Sequence, residues 1–139
     1  GDGPVIPQSG TYNGNPVVMT VGLATLSTMT QENYDIIHRR TKRLAAELQE
    51  VFLEEGVAGS VVSIGSLFQF YFLPEPPKNY REACLDNSNL QRWLYFYLMN
   101  RGIVTRRGGN VSLPMDDSHV ERLIDSIRGA LRDLPSQVG

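Results

Sequence analysis

Residues able to do chemistry are few in this chain, and the most suggestive lie near its start. Gly10-Thr11-Tyr12-Asn13-Gly14-Asn15-Pro16 is a run of small, turn-forming residues that ends on a proline. Pro16 suits the first position of a helix, where a missing N–H costs nothing. A loop entering a helix in this way presents backbone N–H groups and the Thr11 hydroxyl beside the positive helix end, which suits a phosphate or a carboxylate. Most such loops merely turn the chain, so both readings stand on the residues alone. A second candidate is Arg106-Arg107, ahead of Gly108-Gly109-Asn110-Val111-Ser112. Guanidinium groups take carboxylates through paired N–H donors. The same two arginines also fit a solvated turn between two strands.

Other chemistries lack parts. His38 and His119 each fall on or beside a helical pattern, Cys84 has no histidine near it in sequence, and no G-x-S-x-G elbow exists. The histidines, the cysteine and the Asp116-Asp117 pair have no metal-ligand spacing, so no metal is expected and the acidic pair reads as a helix cap. A net charge of −2 and a pI near 5.7 argue against a nucleic-acid partner. No apolar run approaches the ~20 residues needed to cross a bilayer, and no secretory signal opens the chain. No membrane partner is expected. The single cysteine excludes an internal disulfide and is compatible with a reducing, cytoplasmic compartment. The chain begins at Gly1 without methionine and contains only two lysines, Lys42 and Lys78; it reads as a segment of something longer.

The elements that must position these residues follow from pattern. With 139 residues and 41% hydrophobic content, the chain is one domain's worth. Residues 1–9 should be extended or irregular. Pro16 to Met29 is helix-compatible, but Thr20, Thr25, Ser27 and Thr28 weaken it, and its apolar residues lie on several faces. That suits a helix packed on more than one side, with part of its surroundings elsewhere. Thr30 can cap the next helix, on which Tyr34, Ile37, Leu44, Leu48, Val51 and Phe52 form a stripe interrupted by Thr41. The cluster His38, Arg39, Arg40, Lys42 and Arg43 reads as its solvated face, and Gly56 as its stop.

The period then changes. Ser60–Ile64 and Leu67–Phe72 read as two antiparallel strands joined at Gly65-Ser66, with aromatic residues that pack and do not stack on bases, since no lysine or arginine interleaves them. A loop or short turn through Pro74 to Asp86 precedes a helix starting at Asp86 or Ser88, with Leu90, Trp93, Leu94, Tyr97 and Leu98 on one face and Gly102 as its stop. Ile103–Thr105 and Asn110–Leu113 are short strand candidates. The last helix is capped within Asp116-Asp117-Ser118, Ser118 and Glu121 having capping-box spacing, and Pro135 stops it. The fold class is α+β: a small antiparallel sheet covered by helices on one face, preceded by a loop–helix segment.

The heptapeptide Gly10–Pro16, followed by an apolar helix with an early glycine (Gly22), also resembles a segment carried late in the large domain of class III aminotransferases. These are pyridoxal-phosphate enzymes of fold type I, and the branch most similar here is that of glutamate-1-semialdehyde aminomutase. The resemblance implies that Thr11 hydrogen-bonds the pyridoxal 5'-phosphate of the neighbouring subunit across a dimer, with Gly10 letting the backbone approach. Asn13 and Asn15 would support the loop. It further implies that residues 1–29 end the large domain and 30–139 form the small C-terminal α+β domain, where the family carries an element like Gly65-Ser66-Leu67-Phe68. Ornithine-type members place a carboxylate-binding arginine near Ser112. Serine there is similar to the aminomutase branch, and Arg106 and Arg107 would serve a different carboxylate.

The Schiff-base lysine of the family lies upstream of the Gly-Thr pair, and neither Lys42 nor Lys78 has its strand-end context. The expectation is therefore the C-terminal portion of an aminotransferase or aminomutase, inactive alone. It would work as a homodimer or with a complementary N-terminal chain on an amino-acid-like small molecule. The alternative is a non-catalytic, partner-binding remnant of a split or truncated aminotransferase.

Overall fold

A computed structural model describes residues 10–135. The expectation of an extended 1–9 lies outside the described residues. The chain divides into two compact units, one ending at Tyr34 and the other beginning at Asp35.

In the first unit, Asn13 N–H donates to Gly10 C=O (3.0 Å) and Asn15 N–H to Tyr12 C=O (3.1 Å), which folds the Gly10–Asn15 loop into successive turns. Gly14 sits at φ +73°, in the left-handed region glycine adopts without strain. Helix α1 spans Pro16–Thr28, with proline in its first turn as expected and Asn15 as its cap. Its hydroxyl residues do not break it. They bond back to their own helix: Thr20 to Pro16 C=O (2.8 Å), Thr25 to Val21 C=O (2.9 Å), Ser27 to Leu23 C=O (2.8 Å) and Thr28 to Thr25 C=O (2.7 Å). What remains outward is largely apolar.

Helix α2 runs Gln31–Glu54 and buries Ile37, Thr41, Leu44, Leu48, Val51 and Phe52. Thr41, the polar break in the stripe, donates its hydroxyl to Ile37 C=O at 2.8 Å and so costs the core no unpaired group. Gly56, at φ +65°, turns the chain out of the helix. The basic cluster on α2 is more than a solvated face. Arg40 and Arg43 form ion pairs with Asp117, and Arg43 also with Glu47 and Glu121, joining α2 to the last helix.

Strands β1 (Ser60–Ile64) and β2 (Leu67–Tyr71) pair antiparallel around Gly65-Ser66, in the register Ser60↔Tyr71 to Ile64↔Leu67. A one-turn helix, α3 (Tyr80–Ala83), lies in the segment read as a loop or turn. Helix α4 occupies Ser88–Met99 and α5 Asp117–Arg132. Trp93 Nε1 donates to Ala130 C=O (3.1 Å), and Tyr97 to Asp133 (2.8 Å), so α4 and α5 are clasped as well as packed. Burial, and then the hydrogen bond to Asp133, raises the Tyr97 pKa. Phe52, Phe70, Leu44, Leu48, Leu94, Leu98 and Ile127 are the large residues at the centre.

Two local expectations are corrected. The third strand, β3, is Gly108–Asn110; neither Ile103–Thr105 nor Asn110–Leu113 forms a strand as read. It pairs antiparallel with β2 to give the order β1-β2-β3, and Val111 N–H extends the ladder to Ser66 C=O at 2.9 Å. Helix α4 starts at Ser88, one of the two starts read from the sequence, and is capped by Asn87, whose side chain accepts from Asn89 and Leu90 N–H. The capping box of α5 joins Asp116 and His119, not Ser118 and Glu121. Ser118 instead donates to Asp116 Oδ1 at 2.6 Å, and this bond, followed by that of His119, holds the Asp116 carboxyl far below the usual carboxylate range.

Candidate functional site

Two separate places carry the residues singled out by sequence, one on each unit. On the first unit, Gly10 and Thr11 lead the loop into α1, and both are exposed. A Cβ at Gly10 would first meet Asn13 Oδ1 at 2.9 Å, the end of an exposed side chain that can swing aside. The helix end itself is already satisfied. Asn15 Oδ1 accepts from Val17 N–H (3.0 Å) and Val18 N–H (3.2 Å), the donors an anion at the helix terminus would use. Asn15 is therefore the cap, and the groups left for a phosphate are those of the loop, with the Thr11 hydroxyl foremost. A phosphate approached by one exposed hydroxyl and a glycine backbone fits a ligand shared with other protein groups.

On the second unit, Arg106 and Arg107 face a cleft of about 420 Å³ with Ser88, Gln91, Arg92, Tyr95 and Phe96 of α4. Arg107 is the described non-glycine residue with positive φ, +54°. Its carbonyl accepts from Phe70 N–H (2.8 Å), and its guanidinium Nε lies 3.6 Å from Asp86 Oδ2. Asp86 has a fully buried side chain. It accepts from Phe72 N–H (2.8 Å) through Oδ1 and from Gln91 Nε2 (3.0 Å) through Oδ2. One carboxylate thus ties the end of β2, the start of α4 and the arginine corner together.

Ser112 is not in this cleft. It is exposed, and its carbonyl accepts from Met115 N–H at 3.1 Å, closing a turn that leads to α5. Beside that turn runs a second, more apolar groove of about 620 Å³, lined in part by Phe68, Ile103, Val104, Met115, His119 and Leu123. Arg106 borders both hollows. The two lysines, Lys42 on α2 and Lys78 in the proline-rich loop, are exposed and line neither. Among the described residues no group of His, Cys, Asp and Glu could hold a metal ion. No described helix is long and apolar enough to cross a membrane.

Sequence reasoning missed Arg92 as a member of the cleft and Asp86 as the buried carboxylate behind it. The signal for Arg92 was its place on α4 one residue before Trp93, on the flank of the buried face. Asp86 had been read only as one possible start of the helix.

No family model matches the chain. A glutamate-1-semialdehyde 2,1-aminomutase of Desulfitobacterium hafniense is 32% identical over 140 residues, covering 99% of this chain and 32% of the relative. The chain thus spans about a third of the length of the curated relatives it matches. An omega-transaminase from Sphaerobacter thermophilus superposes with a TM-score of 0.81 at 32% identity, over 91% of this chain and 30% of that one. A transaminase with PLP bound gives 0.73 at 27% identity, over 97% and 30%.

Proposed function

We propose that this chain, whose sequence and fold are those of a class III aminotransferase-like segment, serves as the C-terminal portion of a pyridoxal-phosphate-dependent aminotransferase or aminomutase. Residues 1–29 would end the large domain and 30–139 form the small one. Thr11, with Gly10, would donate to the cofactor phosphate of a neighbouring subunit. Pyridoxal phosphate supplies an electron sink for the carbon bearing the amino group; this chain's residues bind and orient. The corner at Arg106-Arg107, and Ser112 beside the apolar groove, would face an amino-acid-like substrate. Serine at position 112 leaves amino-group migration, or transfer from a β- or ω-amino substrate, as the fitting reactions.

The observation that carries this reading is helix α1. Thirteen residues long, it buries none of them, and Val17 (71% exposed), Leu23 (70%) and Leu26 (69%) stand open. With its hydroxyls turned back on its own carbonyls, such a helix is built for an apolar surrounding. The lysine-bearing portion of the enzyme, on the same polypeptide or on a complementary chain, would supply it. The resulting assembly would be a dimer in a reducing, cytoplasmic setting, where Cys84 stays a thiol. A non-catalytic, partner-binding remnant of a split or truncated aminotransferase is the less favoured reading, since the loop and its cap are intact.

Reconstitution tests it. The chain alone with pyridoxal phosphate should give only the spectrum of the free aldehyde. Adding the lysine-bearing portion should give an internal Schiff-base band, and Thr11→Ala should weaken cofactor retention. Retention by the chain alone, or indifference to Thr11, would sink the reading.

A further inference from the structure

We propose that the cleft beside α4 is a carboxylate site whose ligand arms are Arg92 and Arg106, with Asp86 and Arg107 positioning them. Three guanidinium groups face this hollow, and the carboxylate beside them, Asp86, is committed to Arg107. Arg107 is held at both ends, its carbonyl by Phe70 N–H and its guanidinium by Asp86. Its left-handed backbone is thereby fixed, and with it the direction in which Arg106 leaves the chain. Arg92 and Arg106 have no ion-pair partner among the described residues. Two unpaired cations facing one hollow repel each other, and an anion between them removes that cost.

The rest of the lining narrows the ligand. Gln91 Nε2 is occupied by Asp86 Oδ2 and Phe70 C=O, so it offers no free donor in that direction. Phe96 is 50% exposed, and with Tyr95 it gives the cleft an aromatic wall. Two guanidiniums beside aromatic rings suit an organic carboxylate with an apolar body better than a bare phosphate. At about 420 Å³ the hollow is within the range of small-molecule sites. The inference deepens the substrate-facing part of the function proposed above. Its test needs no lysine, cofactor or partner, so either can fail while the other holds.

The test is a titration of the full chain with benzoate, followed through the arginine side-chain N–H signals, with benzyl alcohol and inorganic phosphate as comparison probes. Benzoate should shift the Arg92 and Arg106 signals saturably, and benzyl alcohol should not. Arg92→Gln and Arg106→Gln should each weaken benzoate binding about tenfold without moving the urea midpoint, because both side chains are exposed. Asp86→Asn should lower both affinity and midpoint. Arg39→Gln, on the exposed face of α2, should change neither. Equal response to benzyl alcohol, tighter binding of phosphate, or unchanged benzoate affinity in both arginine variants would overturn the proposal.

Discussion

Thr11 and Asp86 show how differently single residues carry this molecule. Thr11 is exposed and stabilises nothing else described, so its replacement by alanine should leave urea unfolding unchanged while weakening cofactor retention in the assembled protein about tenfold, the effect of one hydrogen bond to a charged group. Asp86 is the reverse. Asp86→Ala would leave Phe72 N–H and Gln91 Nε2 without their acceptor and Arg107 without its counter-charge, at a cost of about 3 kcal/mol by urea unfolding. Gly108 belongs with Asp86. It lies at φ +153°, and a Cβ there would sit 2.1 Å from Phe68 C=O, so Gly108→Ala should cost at least about 2 kcal/mol in the same measurement. That contact also explains why β3 was illegible in the sequence. Strand propensity disfavours glycine, yet the close approach of β3 to β2 demands it, and the β-branched residues nearby drew the strand assignment to either side.

At the level of elements, the helices with one buried stripe were readable because period alone decides them. The stripes on α2 and α4 were found, as were the hairpin at Gly65-Ser66 and the stops near Gly56, Gly102 and Pro135. The caps were less legible. Asp116 lies within the span read as the α5 cap but pairs with His119, and Asn87 was not singled out ahead of α4. The Asp116 cap makes a pH prediction. Its carboxyl is depressed in the folded state by Ser118 and His119, so its contribution is present above the unfolded value of about 4 and is lost as pH falls further. Acid unfolding followed by circular dichroism should therefore be shallower below pH of about 4 in Asp116→Asn than in the parent. Helix α1 carries the opposite lesson. Its lack of one face was visible in the sequence, and the structure gives the reason in the back-bonded hydroxyls and the exposed Val17, Leu23 and Leu26. Leu23→Glu should reduce self-association of the isolated chain in sedimentation velocity and leave the thermal unfolding of the second unit unchanged.

For the whole molecule, the decisive arithmetic is coverage. The chain matches its relatives along nearly all of its own length and about a third of theirs. What it holds is a tight loop leading into a helix, a helix with exposed apolar side chains and an α+β unit with an arginine corner. What it does not offer is a lysine in either hollow, and a Schiff base needs one. The central claim is that the chemistry is completed by a lysine-bearing portion which this chain joins. The most direct measurement is borohydride reduction of the native material from its source, followed by intact mass of every polypeptide that purifies with this sequence. The account predicts a reduced cofactor adduct on a lysine outside these 139 residues, in a longer or a second polypeptide. An adduct on Lys42 or Lys78, or native material in which this chain of 139 residues purifies with no longer or second polypeptide and no adduct, would contradict it.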